Sequence, residues 1–330
     1  MMELIEVMGN HRVYDSMRHV LSLLNFPKKP RMVSIHPDYS NSRIFTVSQN
    51  NYVHYTGIPL KKENFYALRS PLISIGTWEA LVRGVPFCII EEYHRRKNYK
   101  NFIARILLRP FCGHPVLSST KQTCSFLREF GINPILVPPA LEKGKGAQAG
   151  KRKHILFVGK LLPSKNPQLF LELARSFPKE QFVMIGKGPL FAQMEKEAKK
   201  IANIKLIERV DSREELFGCY ENAKLLLHPA TQDPIGFVAI EALSRQTPVI
   251  ASKNAGASCF LPREWVAEAG NKAEWEEKMR KILGNAEESV KLAEKTFERE
   301  HLDIKDEYFE KAAKELSLAV KERWPALFND

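Results

Sequence analysis

Cysteine is scarce in this 330-residue chain: five residues (Cys88, Cys112, Cys124, Cys219 and Cys259), an odd number with no C-x-x-C pair. Such spacing argues against a disulfide scaffold or a zinc ribbon and points to a reducing cytoplasm. No stretch approaches the roughly 18 uninterrupted apolar residues of a membrane span. The longest near-apolar stretch, 71–90, is broken by Glu79 and Arg83. The opening MMELIEVMGNHR has neither the basic start nor the apolar block of a signal peptide. The chain also lacks a D-x-D triplet, internal repeats and low-complexity tracts. Acidic residues are sparse in the first half: 1–150 hold 20 Lys and Arg against 10 Asp and Glu, whereas 151–330 hold 30 against 28.

What is present describes an ordinary globular chain, 44% hydrophobic and 27% charged, and longer than one core usually organises. The uneven charge suggests two domains facing different partners, the basic one meeting nucleic acid, anionic lipid or a phosphorylated substrate. Residues 142–153, EKGKGAQAGKRK, are polar and without apolar period, so they read as a linker. The expected domains are 1–145 and 152–330, with the last helix free to pack back on the first.

On both sides of that seam, apolar strands alternate with amphipathic helices, the pattern of parallel α/β layers. In the second half HILFVG (154–159), QFVMIG (181–186), IKLIERV, KLLLHPA and PVIAS read as strands. NPQLFLELARS, PLFAQMEKEAKKIA, SREELFGCYENA and PIGFVAIEALSRQ read as helices, with Asn166 capping the first, and charged helices follow from about Glu274. In the first half ELIEVMG, RMVSIH, RIFTV, PLISIG, VPFCII and INPILVPP are strand candidates, and VYDSMRHVLSLL and CSFLREFG helix candidates. The expected architecture is two doubly wound, Rossmann-like domains facing each other across a cleft. Ligands of such sheets sit at the C-terminal strand ends.

Three motifs stand at such ends. Gly159-Lys160-Leu161-Leu162-Pro163-Ser164-Lys165 follows a buried strand; its lysines could neutralise a diphosphate or be ordinary surface lysines, and it is not a Walker loop. Gly186-Lys187-Gly188-Pro189 is a lone G-x-G, which reads as a strand-to-helix turn. Asp233-Pro234 forms a helix start, and the amides of Ile235, Gly236 and Phe237 form an anion site. Glu241 lies inside the apolar helix that follows, where a carboxylate needs a partner: ligand hydroxyls or an internal Lys or Arg.

In order and spacing, HILFVGKLLPSKNPQLFLELA, QFVMIGKGPL, IERVDSREELFGCYENAKLLLHPA and DPIGFVAIEALSRQTPVIAS resemble the donor-binding domain of retaining GT-B glycosyltransferases of family 4. LSSTKQTCSFLREFGINPILVPPALE resembles the end of that family's first domain, so the resemblance covers about 114–283. The family's signature is Glu, seven residues, Glu; Asp233 and Glu241 occupy that spacing. The resemblance implies transfer of a hexose from a nucleotide-diphosphate sugar to an acceptor hydroxyl, with retention and without metal or other cofactor. Lys160 and Lys165 would hold the diphosphate, Glu241 the ribose, and Asp233 with the amides near Gly236 and Phe237 the sugar and β-phosphate. The backbone near Val210 would touch the base. Departures are Asp233 for Glu, Lys160 for Arg and Gln246 for Gly.

Acceptor-side candidates in the first half are Gly9, His11, Glu91, Glu92 and His94; His94 is also a catalytic candidate, and both histidines read equally as surface residues. The segment 97–111, with Lys100, Arg105 and Arg109 among apolar residues, reads as a basic helix suited to an anionic membrane or as a core helix with extended basic stems. An anionic lipid, polyprenyl-phosphate-linked or saccharide acceptor and a position on the inner membrane face are expected, with no nucleic acid. A non-catalytic binding protein and a nucleotide-sugar epimerase are the alternatives.

Overall fold

The computed structural model describes residues 108–327 continuously, and before them 3–7, 19–21, 23–24, 31–34, 45–46, 53–54, 65–69, 81–82, 84, 86–91 and 106. The chain forms two compact units, Met1–Pro138 with Glu307–Asp330, and Pro139–Asp306.

The first unit holds a six-stranded parallel sheet of β1 (Glu3–Val7), β2 (Arg31–Ser34), β5 (Phe65–Arg69), β6 (Phe87–Glu91), β7 (Val116–Ser118) and β8 (Ile135–Leu136), in the order β2-β1-β5-β6-β7-β8. Of RIFTV, Phe45–Thr46 form β3, which pairs antiparallel with β4 (Val53–His54) outside that sheet. The strand between β1 and β6, Phe65–Arg69, is not among the sequence candidates, and PLISIG lies outside the described residues. Helix α1 (Lys121–Arg128) is capped by Thr120, whose Oγ1 accepts from the Thr123 amide at 3.2 Å.

The second unit is a six-stranded parallel sheet of β9 (His154–Val158), β10 (Gln181–Ile185), β11 (Ile204–Ile207), β12 (Ala223–His228), β13 (Val249–Ser252) and β14 (Val266–Ala267). Its order is β11-β10-β9-β12-β13-β14. The strands alternate with α2 (Pro167–Ser176), α3 (Phe191–Ala198), α4 (Arg213–Glu221) and α5 (Phe237–Ser244), and α6 (Lys272–Gly284) and α7 (Ala286–Arg299) follow. Ile155, Leu156 and Phe157 are all buried, as expected of a strand covered on both faces. Asn166 stands at the start of α2 in a left-handed conformation, but its side chain does not cap the helix; Nδ2 points to the Ala269 carbonyl at 3.5 Å.

The polar segment 142–153 is not a free linker but is laid along the second unit. Buried Arg152 donates to the carbonyls of Ala147 (3.1 Å), Ala223 (2.8 Å), Arg245 (3.3 Å) and Gln246 (2.9 Å), and to Thr247 Oγ1 (2.8 Å). Burial pushes this guanidinium down to about 10, against the pull of Glu221. Lys153 and Gly144 add backbone bonds to Asn222 and Ser244. Composition hid this because the stabilising groups are backbone carbonyls brought together by distant loops. The chain passes between units at 138/139 and 306/307 instead.

Helix α8 (Tyr308–Arg323) belongs to the first unit: Tyr308 donates its hydroxyl to the Leu136 carbonyl at 3.0 Å. Arg323 donates to Nε2 of buried His114 at 3.1 Å, while Phe87 stacks on that ring at 4.9 Å. Burial, then Arg323, push His114 down to about 4. The folded ring is therefore neutral where the unfolded one, with the ordinary histidine value of 6.5, takes a proton. Stability is expected to fall as pH drops from about 6.5 toward 4, by on the order of 3 kcal/mol. His114→Gln should flatten that slope in urea melts at pH 7 and 4.5; an unchanged slope would assign it elsewhere.

Candidate functional site

In the second unit, β9 lies between β10 and β12: the chain steps outward from β9 to β10 and β11, then crosses back to β12 on the other side of β9. The C-terminal ends of strands at such a reversal are where ligands of open parallel sheets sit. The loops after β9 and β12 carry most of the motifs singled out above. They are joined at the Ser164 carbonyl, which accepts from the amides of Thr231 (2.8 Å) and Gln232 (3.2 Å).

Asp233 is the centre of the arrangement. Its Oδ1 accepts from the amides of Gly236 at 3.1 Å and Ile235 at 3.4 Å, and its Oδ2 meets Lys165 Nζ at 2.5 Å. His228, the last residue of β12 and only 3% exposed, places Nε2 3.0 Å from the same Oδ2 without an aligned hydrogen bond. A buried nitrogen left so costs about 1–3 kcal/mol. Burial works against the Asp233 charge, but His228 and Lys165 outweigh it and hold this carboxyl well below the usual carboxylate range.

The helix begins later than Asp233-Pro234 suggests. Asp233 closes the turn before it, and Gly236, in the left-handed region at φ 78°, is the residue ahead of α5. A side chain at 236 would also press on Ala257 and His228. The amides of Ile235 and Gly236 are thus engaged by Asp233 rather than open to an anion. Phe237 starts α5, whose N-terminal dipole end points the same way.

Glu241, one turn into α5 and partly buried, accepts the Tyr220 hydroxyl at 2.7 Å. One interior partner is therefore a tyrosine of α4, and the charge of Glu241 also acts on Arg245. Lys160 is exposed on the β9 loop, and Val210 is half-buried beyond β11. Gly186 has a packing reason: a Cβ there would fall 1.8 Å from the Gly159 carbonyl oxygen. Bonds from Leu161 to the Lys187 carbonyl and from Leu190 to Leu161 hold these two turns together. Gln246 adopts φ 58°, a conformation that favours glycine.

Gly159, Lys160, Lys165, Gly186, Val210, Asp233, Ile235, Gly236, Phe237 and Glu241 thus share one edge of one sheet. Arg109 is in the first unit, exposed in a short turn of helix next to fully buried Leu108. Gly9, His11, Glu92, His94, Lys100 and Arg105 lie outside the described residues, as does the side chain of Glu91. Sequence reasoning missed His228 and Tyr220. The signal for His228 was a polar residue closing the apolar run LLLH directly before the Asp233 loop; for Tyr220 there was none. Among the described residues no group of three or more His, Cys, Asp or Glu is placed to hold a metal. Among the same residues no helix is long and apolar enough to cross a membrane.

Two parallel-sheet α/β units define the GT-B fold. Anabaena HepE, solved with UDP and glucose, superposes with a TM-score of 0.69 over 98% of this chain and 100% of its own at 11% identity. The lipopolysaccharide outer core galactosyltransferase WaaB does so with 0.69 over 96% and 99% at 14%. At such identities the likeness shows the fold. Residues 140–299 match the family model described as glycosyl transferases group 1. The D-inositol 3-phosphate glycosyltransferase of Mycolicibacterium smegmatis is 30% identical over 112 residues, 32% of this chain and 26% of the relative. The Escherichia coli UDP-Gal:alpha-D-GlcNAc-diphosphoundecaprenol alpha-1,3-galactosyltransferase is 26% identical over 247 residues, 62% of each chain. The matches thus span between about a quarter and three fifths of these relatives' lengths.

Proposed function

We propose that this protein is a retaining glycosyltransferase of family 4 that moves a hexose from a nucleotide-diphosphate sugar to an acceptor hydroxyl without a metal ion. The observation that carries the reading is the meeting of Lys165, Asp233 and the start of α5 at the point where the strand order reverses. Lys160, Lys165 and the helix start supply positive charge to a diphosphate. Glu241, steadied by Tyr220, takes the ribose hydroxyls, with the base near the Val210 backbone; Asp233 faces the sugar. In the reaction the bond from the anomeric carbon to the diphosphate oxygen breaks, and its electron pair leaves with the nucleoside diphosphate. The bond from that carbon to the acceptor oxygen forms on the same face. The acceptor's proton passes to the departing β-phosphate oxygen.

The test is release of nucleoside diphosphate from radiolabelled UDP-glucose and UDP-galactose, with phosphorylated saccharides and polyprenyl-diphosphate sugars as acceptors. Turnover is expected to persist in excess EDTA. Complete loss, restored by magnesium or manganese, would overturn the lysine-based charge assignment, and nucleotide binding without turnover would favour a binding protein. The basic first half suits an anionic acceptor or membrane surface in the cytoplasm. Co-sedimentation with acidic vesicles should then weaken as salt rises, and equal binding to neutral vesicles would remove that part.

Glu241→Gln is expected to weaken nucleotide-sugar affinity at least tenfold with little change in melting temperature. Tyr220→Phe, which removes one hydrogen bond, should lower stability by about 1 kcal/mol and affinity less than Glu241→Gln does. A large melting loss with unchanged affinity in Glu241→Gln would make this carboxylate structural.

A further inference from the structure

The site leaves one group unexplained. His228 Nε2 is buried, lies 3.0 Å from Asp233 Oδ2 and has no aligned hydrogen bond, while Lys165 meets the same oxygen at 2.5 Å. The other carboxylate oxygen is tied to the amides of Ile235 and Gly236, so Asp233 can pivot little. Two nitrogen-bearing side chains therefore converge on one oxygen, and only one makes an aligned hydrogen bond to it. Lys165 sits on the β9 loop with about a fifth of its side chain exposed, whereas His228 is locked at the end of a central strand. Only Lys165 is free to leave.

We propose that His228 is a positioning residue for Asp233. When a diphosphate draws Lys165 away, Asp233 Oδ2 turns onto His228 Nε2–H, so the carboxylate keeps a partner and its place. Lys165 is shared between an internal carboxylate and the ligand, and His228 makes the exchange tolerable by sparing Asp233 an unpaired, mostly buried charge. The inference rests on the donor reading above for the identity of the anion, but the exchange itself belongs to the ligand-free chain.

Isothermal titration with UDP tests it. His228→Leu is expected to weaken UDP at least tenfold, and His228→Gln, which restores an N–H near the Nε2 position, to recover most of that. In an Asp233→Asn background, where no charge needs a second partner, His228→Leu should change UDP affinity less than threefold. Uridine, lacking phosphates, should bind all variants alike. An equal His228→Leu effect in both backgrounds, or none in either, overturns the role. Should wild type not bind UDP, the donor reading fails, and the exchange is judged without ligand. Lys165→Met then mimics withdrawal of the cation. His228→Leu must lower the melting temperature more in that background than in wild type, and equal losses overturn the proposal.

Discussion

Arg152→Leu should lower the stability of the second unit by about 3–5 kcal/mol, the range of a buried polar network broken on one side. Four carbonyls and Thr247 Oγ1 lose their donor at once. Thr247 Oγ1 also bonds the Tyr220 carbonyl at 2.6 Å, so the damage extends to α4. At roughly 2–4 °C per kcal/mol for a unit of this size, melting should fall by about 10 °C or more. Arg152→Lys should recover little, because an ammonium has three N–H donors for five acceptors. Thermal melts of the three proteins at pH 7 decide the matter. A shift under 2 °C for the leucine variant would mean that 142–153 is held mainly by its backbone bonds.

Asp233→Ala should be the second most damaging change, at about 3 kcal/mol. It strips Lys165 and His228 of their shared carboxylate and leaves two amides before α5 without an acceptor. Asp233→Asn keeps an acceptor for those amides and should recover about 1 kcal/mol of the loss. The pH dependence follows from the sign of the shift. Burial opposes the charge, but His228 and Lys165 depress the folded carboxyl below its unfolded value. Its contribution is therefore complete above about pH 4 and is lost only as pH falls further. Stability curves of wild type and Asp233→Ala should run parallel from pH 5 to 8 and converge in stronger acid. Convergence already near pH 6 would show that the carboxyl is not held in this way. His114 produces the contrasting limb in the first unit, where acid destabilises over a milder range.

The alternation of apolar strands with amphipathic helices was enough to place β9 to β13 and α2 to α5, because a strand buried on both faces must be apolar throughout and little else satisfies that. The same chain-local signals put Lys165, Asp233 and Glu241 beside strand ends, and capping chemistry explained why Asp233 precedes a helix. The errors came where a residue's partner is remote in sequence. Residues 142–153 look like a linker until Arg152 finds carbonyls 71 and 94 positions away, in Ala223 and Gln246. Glu241 advertised that it needed a partner, but only the packing of α4 beside α5 made that partner Tyr220. Gly186 read as a turn glycine, and the approach of the Gly159 carbonyl made it a packing one. The sequence by itself determined the fold class and which residues stand at the strand ends, since periodicity and capping act within a turn or a strand. Tertiary structure alone decided that Lys165 and His228 compete for one oxygen of Asp233, because a contact's partner is chosen by sheet order, and sheet order is set by packing between distant segments.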